Sequence, residues 1–241
     1  MRRRPPLLLE LIASIVLLAP ASPLGAASGA GPAEKQPNKT TQETKPLVSV
    51  SAMTASDYAA CVAELASRKI AFEPVGEASD EGCALSGAVR LAAIATASGN
   101  VSLTGKPMML CSFARQFSAW VSAVAAPLAL GYTGQRLAEI ETGSAFACRA
   151  RYDKPGQVPS EHAKGDAVDI AAFMLADGRR LAVKEQASDP PSARDLVRAL
   201  RTTACGYFTT VLGPGADAAH AEHFHFDTGL HGATPNYRIC E

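Results

Sequence analysis

Two histidine-bearing stretches, far apart in the chain, place the strongest constraint on how it can fold. The first reads Ser160-Glu161-His162-Ala163-Lys164-Gly165-Asp166-Ala167-Val168-Asp169, and the second His220-Ala221-Glu222-His223-Phe224-His225-Phe226-Asp227. Together they hold four of the five histidines in under a tenth of the length. Imidazole and carboxylate groups are common zinc ligands, and a catalytic zinc takes three protein ligands and leaves a fourth position for water. His162, Asp169 and His225 form one such set. If they share an ion, the two stretches must meet.

The local pattern around each stretch is compatible with that meeting. Ala167 to Leu175 reads as a strand, Asp177-Gly178 as a tight turn and Leu181 to Val183 as the returning strand. Asp169 then lies near the start of a strand and His162 in the loop before it, with Gly165 allowing a sharp bend between them. From Glu222 to Phe226, period-two geometry puts His223 and His225 on one face of a strand and Phe224 and Phe226 on the other. The phenylalanines pack on a core, so the histidines look into a groove.

Elsewhere, Ser56-Asp57 caps a helix with Tyr58, Val62 and Leu65 on one face, carrying Cys61. Residues 72–107 carry short apolar runs broken by glycines, read as short strands and turns. Phe113, Phe117, Trp120, Val121 and Val124 recur at helical spacing on a segment expected to end at Pro127, which makes Trp120 a core residue. Leu137 to Glu141 alternates like a strand. Ser192 is placed to cap a helix that buries Leu196, Val197 and Leu200, and Phe208 to Leu212 reads as a further strand.

The N-terminus has Arg2, Arg3 and Arg4, then a mostly apolar run from Leu7 to Leu18, then small residues. This is the pattern of a secretory signal, expected to be removed over residues 1–26 and to leave no stable membrane insertion. Residues 27–55, rich in Ala, Gly, Pro, Lys, Thr and Gln, read as a disordered linker, and residues 56–241 as the folded domain. Cleavage would take three of the 23 basic and one of the 23 acidic residues, moving the net charge from zero to −2. The basic residues are scattered, which argues against nucleic acid as a partner. All six cysteines follow the signal, so three disulfides and a periplasmic or secreted location are expected. The simplest pairing is sequential: Cys61 with Cys83, Cys111 with Cys148, and Cys205 with Cys240. No C-x2-C pair is present, which disfavours a cysteine-ligated zinc.

The motif Ser160-x-His162-x-x-Gly165-x-Ala167-x-Asp169 with His223-x-His225 resembles the zinc signature of the D-Ala-D-Ala carboxypeptidase and endopeptidase superfamily. Lysostaphin-type peptidases and the hedgehog signalling domain also belong to it. Ser160-Glu161-His162-Ala163, Val168-Asp169-Ile170, Leu212-Gly213-Pro214 and Ala219-His220 through His223-Phe224-His225 more closely resemble the bacterial extensin-like C-terminal domain family, over roughly residues 58–241. The resemblance implies an α+β fold, a small antiparallel sheet carrying a Zn2+ site, flanked by helices and stapled by disulfides. It implies His162, Asp169 and His225 as metal ligands. Glu222, His223 and His220 become candidates for the base, with Glu222 and His223 favoured near the metal. A regular strand would turn Glu222 away, so its role requires the chain to depart from extension there.

Arg149 is either the arginine that holds the substrate or its oxyanion, or a structural residue beside a disulfide. Phe146 stands where relatives often carry tyrosine. The activity implied is zinc-dependent hydrolysis of a peptide bond in peptidoglycan stem peptides or cross-links, with regulation by a protein partner or by localisation expected. The alternative is a non-catalytic, metal-stapled module that binds wall peptides or a protein.

Overall fold

The computed structural model describes residues 49–154, 157–186, 188–232, 234 and 237–241. The expected signal peptide, residues 1–26, and residues 27–48 of the expected linker lie outside the described residues. No helix among the described residues is long and apolar enough to cross a membrane.

The last residues of the expected linker belong to the folded unit. Strand β1 (Ser49–Ala52) runs parallel to the start of β3 (Cys83–Thr96), pairing Ser49 with Cys83 and Ala52 with Ser86. Backbone ladder bonds need no large apolar side chains, which is why composition alone pointed to disorder. Met53 then anchors the segment: a Cβ on Gly87 would lie 2.9 Å from the Met53 Cβ, so only glycine lets the two chains approach. Helix α1 (Ala55–Ser67) follows, capped by Thr54 rather than Ser56, the Thr54 hydroxyl accepting from the Asp57 amide.

Strand β2 (Ala71–Asp80) pairs with β3 along its length, so residues 72–96 form one long hairpin rather than several short strands. On its other side β3 meets three partners in turn: β1, then β5 (Met108–Leu110), then β4 (Gly99–Leu103). Helix α2 (Cys111–Trp120) does not stop at Pro127. It passes through a π turn (Val121–Ala125) into α3 (Ala126–Thr133). In the wider turn the Ala126 amide reaches back five residues to the Val121 carbonyl. That widening accommodates a proline that would collide with the carbonyl four residues back in a regular helix.

Strand β6 (Leu137–Thr142) and β7 (Ala167–Leu175) are antiparallel, and β8 (Arg180–Ala182) returns from the Asp177-Gly178 turn onto β7. Helix α4 (Pro191–Ala204) packs on α3, and β9 (Thr210–Leu212), β10 (Phe224–Asp227) and β11 (Ile239–Cys240) complete the sheet. Along its main path the order is β1-β3-β4-β6-β7-β10-β9-β11. The fold is thus mixed α and β, but the sheet is large, with eleven strands, and mixed, since β1/β3, β4/β6 and β9/β11 are parallel. The correction has a local cause. Successive short strands reach β3 from both ends, and the C-terminal residues return beside β9.

The helices bury Phe113, Phe117 and Trp120, with Phe208 and Phe226 brought against them from the sheet side. The Trp120 ring meets Phe226 edge-on at 5.2 Å, and Phe226 stacks on Phe208 at 5.0 Å. Strand β10 is therefore fixed in the core by the residue next to His225.

Three disulfides form, but only Cys205–Cys240 follows the sequential pairing. The others interleave, Cys61–Cys111 and Cys83–Cys148. Cys61 on α1 is buried against the start of α2, where Cys111 lies. Cys83 opens β3, which is crossed by the loop carrying Cys148. Tertiary neighbours decide the pairing, not sequence neighbours.

Candidate metal centre

The first motif is a one-turn helix, and each of its marker residues has a mechanical reason. The Ser160 hydroxyl accepts from the His162 amide and caps the turn Glu161–Lys164. Gly165 ends it in the left-handed region at φ 69°, and a Cβ there would lie 2.7 Å from the Leu85 side chain and 3.1 Å from the Leu110 amide nitrogen. Cap and stop hold His162 in a fully buried position just before β7.

The second motif meets the first by strand register. His225 on β10 stands directly opposite Asp169 on β7, so their side chains share a face of the sheet. Gly213 permits this packing, since a Cβ there would lie 2.7 Å from the Phe224 ring.

Three ligand atoms converge. Asp169 Oδ1 is 3.2 Å from His162 Nε2 and 3.1 Å from His225 Nδ1, and the two ring nitrogens are 3.0 Å apart. Ligands about 2.0 Å from a tetrahedral zinc lie about 3.3 Å from one another. The triangle therefore matches one face of such a tetrahedron to within a few tenths of an ångström.

The far sides of both imidazoles strengthen this match. His162 Nδ1 donates to the Ala145 carbonyl at 2.8 Å, and His225 Nε2 donates to Asp227 Oδ2 at 3.0 Å. With those hydrogens so placed, His162 Nε2 and His225 Nδ1 both present lone pairs to the Asp169 carboxylate. In that neutral form three acceptors face one point, an arrangement that could hold a divalent cation. When the imidazoles are charged, their protons bridge the same atoms instead. Burial alone would raise Asp169, but hydrogen bonds from His162 and His225 outweigh it and hold the carboxyl well below its usual range. Burial also works against the charged form of His225, yet Asp169 and Asp227 raise it to about 9.

The other expected site residues are distributed unequally. Arg149 Nη2 lies 3.5 Å from Asp169 Oδ2, and its side chain lines a pocket of about 190 Å³ with His162, His220 and His225. His223 Nε2 is 3.6 Å from Asp169 Oδ1, and burial together with the nearby histidines lowers its pKa despite the opposing pull of Asp169. His220 is oriented by Asp217, which accepts from its Nδ1 at 2.7 Å, and its ring is 5.4 Å from that of His223 and 5.5 Å from that of His225. Glu222 lines a second pocket together with Asp169, His223 and Lys184. The chain bends at 221–223, and the Glu222 carboxylate is 71% exposed and held at 2.5 Å by Lys184. That ammonium keeps its pKa low.

Asp227, His231 and Asp217 were not singled out from the sequence. Asp227 follows His225 by two residues, so period-two alternation places it on the same strand face, and that signal could have found it. His231 and Asp217 have no comparable spacing.

Asp166, between the ligands of the first motif, is raised to about 6, first by burial and then by the Glu161 and Asp227 carboxylates, with Lys164 opposing. A carboxyl raised on folding destabilises the folded state once ionised, so its effect is absent below about pH 4 and fully felt above about pH 6. Asp166→Asn should therefore gain roughly 3 kcal/mol over the parent at about pH 7 and almost nothing at about pH 4. Denaturant titration at both values checks this, and an equal difference at the two would exclude the assignment.

The architecture is a disulfide-bonded mixed α and β domain whose buried polar residues centre on two histidines and an aspartate. The chain belongs to the family described as extensin-like protein C-terminus, whose model matches residues 59–241. No curated protein and no solved structure matches it significantly.

Proposed function

We propose that the chain is a zinc-dependent peptidase that hydrolyses a peptide bond in peptidoglycan stem peptides or cross-links, working in the periplasm or outside the cell. The observation that carries the reading is the triangle of His162, Asp169 and His225, with edges of 3.0 to 3.2 Å and both outer imidazole hydrogens already engaged. The substrate class rests on the resemblance of the two motifs to wall-peptide hydrolases. A bound zinc would polarise the scissile carbonyl and make water more acidic.

The remaining roles fall to the chain. His223, with its pKa lowered and its ring beside Asp169, carries a free lone pair near neutral pH and accepts the proton of the attacking water. The same proton returns to the leaving amine as the C–N bond breaks. His220, fixed by Asp217, is the second proton carrier in the groove. Arg149 meets the charge that develops on the carbonyl oxygen. Glu222, which lines a second pocket with Asp169 and His223, is the alternative base.

One observation favours the rival reading, a metal-stapled binding module. His223 Nε2, only 3.6 Å from Asp169 Oδ1, is close enough that a small shift would make it a fourth protein ligand and close the site. His223→Ala separates the two. A catalytic His223 predicts full zinc content and turnover of cross-linked muropeptides lowered roughly a hundredfold or more. A closing ligand predicts loss of zinc. Mass spectrometry of the products and metal analysis of the same samples read both. Absence of any zinc-restorable product from metal-loaded wild-type protein would remove the peptidase reading.

A further inference from the structure

Asp227 is held on every side. Its Oδ2 accepts from His225 Nε2 at 3.0 Å, and its Oδ1 accepts from His231 Nε2 at 3.1 Å and from the Gly229 amide at 2.9 Å. Its side chain is 4% exposed and that of His231 12%. A solvated carboxylate next to a histidine would exchange partners freely. This one is buried, with a donor on each oxygen.

We propose that His231 is a positioning residue for the metal centre, acting through Asp227, so that the segment after β10 is fastened to the site it borders. This rests on the reading of His162, Asp169 and His225 as metal ligands. The argument follows the hydrogen bonds outward. His225 can offer Nδ1 to a metal only while its other nitrogen keeps its hydrogen, and Asp227 enforces that tautomer. Asp227 can face His225 only while its carboxylate plane is fixed, and His231 supplies the one side-chain N–H on the opposite oxygen.

The same contacts have a second effect. His231 and Ile239 line the pocket that His162, His225 and Arg149 also line. Ile239 belongs to β11, which is tied to α4 by Cys205–Cys240. His231 is thus the point at which this wall of the pocket is tied to the metal end. Gly229 makes the close approach possible, since a Cβ there would lie 2.5 Å from the Glu161 side chain.

The test is zinc affinity of the folded full-length domain, measured by competition with a chromophoric chelator, for wild type, Asp227→Asn, His231→Gln and His231→Asn. Glutamine places an amide N–H where Nε2 of histidine was, whereas asparagine stops short of it. Asp227→Asn should lose roughly ten- to a hundredfold in affinity, the scale of lost outer hydrogen bonds to metal ligands. His231→Asn should lose about tenfold and His231→Gln should stay within about threefold of wild type. A purely structural role would affect both His231 variants alike and would leave zinc affinity unchanged in any variant that folds. Fluorescence of Trp120, packed on Phe226 beside the site, monitors folding in the same samples. If His231→Asn keeps wild-type affinity, or if glutamine does no better than asparagine, the inference falls while the metal reading stands. If wild-type protein holds no zinc, both fall.

Discussion

Replacing Asp169 with alanine should abolish stoichiometric zinc binding and lower peptide hydrolysis by well over the roughly hundredfold that an outer-shell change costs. Asp169 contributes the only anionic oxygen in the triangle, and it lies within 3.2 Å of both ligand nitrogens. Without it, two neutral imidazoles face each other with no charge to favour a cation. Arg149 also loses the carboxylate 3.5 Å away and can swing toward the vacated space, adding repulsion. The strand itself should survive, because β7 is held by β6 and β10 through backbone bonds. Metal analysis and muropeptide digestion check the prediction. A variant that keeps one zinc per chain with unchanged affinity would show that the ligand set has been misassigned.

Trp120→Ala should lower the unfolding free energy by about 4 kcal/mol, the usual scale for deleting a fully buried indole. Small domains are stable by only about 5–15 kcal/mol, so much of the margin would go. Trp120 is completely buried and touches Phe117, Phe208 and Phe226, which sit on three different elements or loops. Because Phe226 follows His225, the cavity opens directly behind β10. A shifted denaturation midpoint should therefore be accompanied by weaker zinc retention even in the folded population. A loss under about 1 kcal/mol would mean the neighbours collapse into the gap.

What could be read from the sequence was local and periodic. The strand reading of Ala167 to Leu175 and the alternation from Glu222 to Phe226 found the two strands that carry Asp169 and His225. The Ser160 and Gly165 markers framed the turn that carries His162. The triangle needed only the further idea that clustered ligand types share an ion. Features set by tertiary neighbours were not legible. Cys61 pairs with Cys111 because α1 lies on α2, and no spacing rule contains that contact. Pro127 obeyed a rule for regular helices that the π turn suspends. Glu222 was legible as an offset from His225, but its ion pair with Lys184 on another segment was not. His231 was passed over as a single histidine outside both motifs, and its meaning came only from Asp227.

The Cys83–Cys148 bond has a bearing on the stiffness of the site. It pins the loop whose Ala145 carbonyl accepts from His162 and whose Arg149 faces Asp169. With its thiols reduced the loop would keep its backbone bonds to Met108 and His162 and the bond from the Cys148 amide to Asp80, but would lose its one covalent tie to β3. On the proposed reading of the site, oxidation would therefore stiffen the wall that carries the Ala145 carbonyl and Arg149.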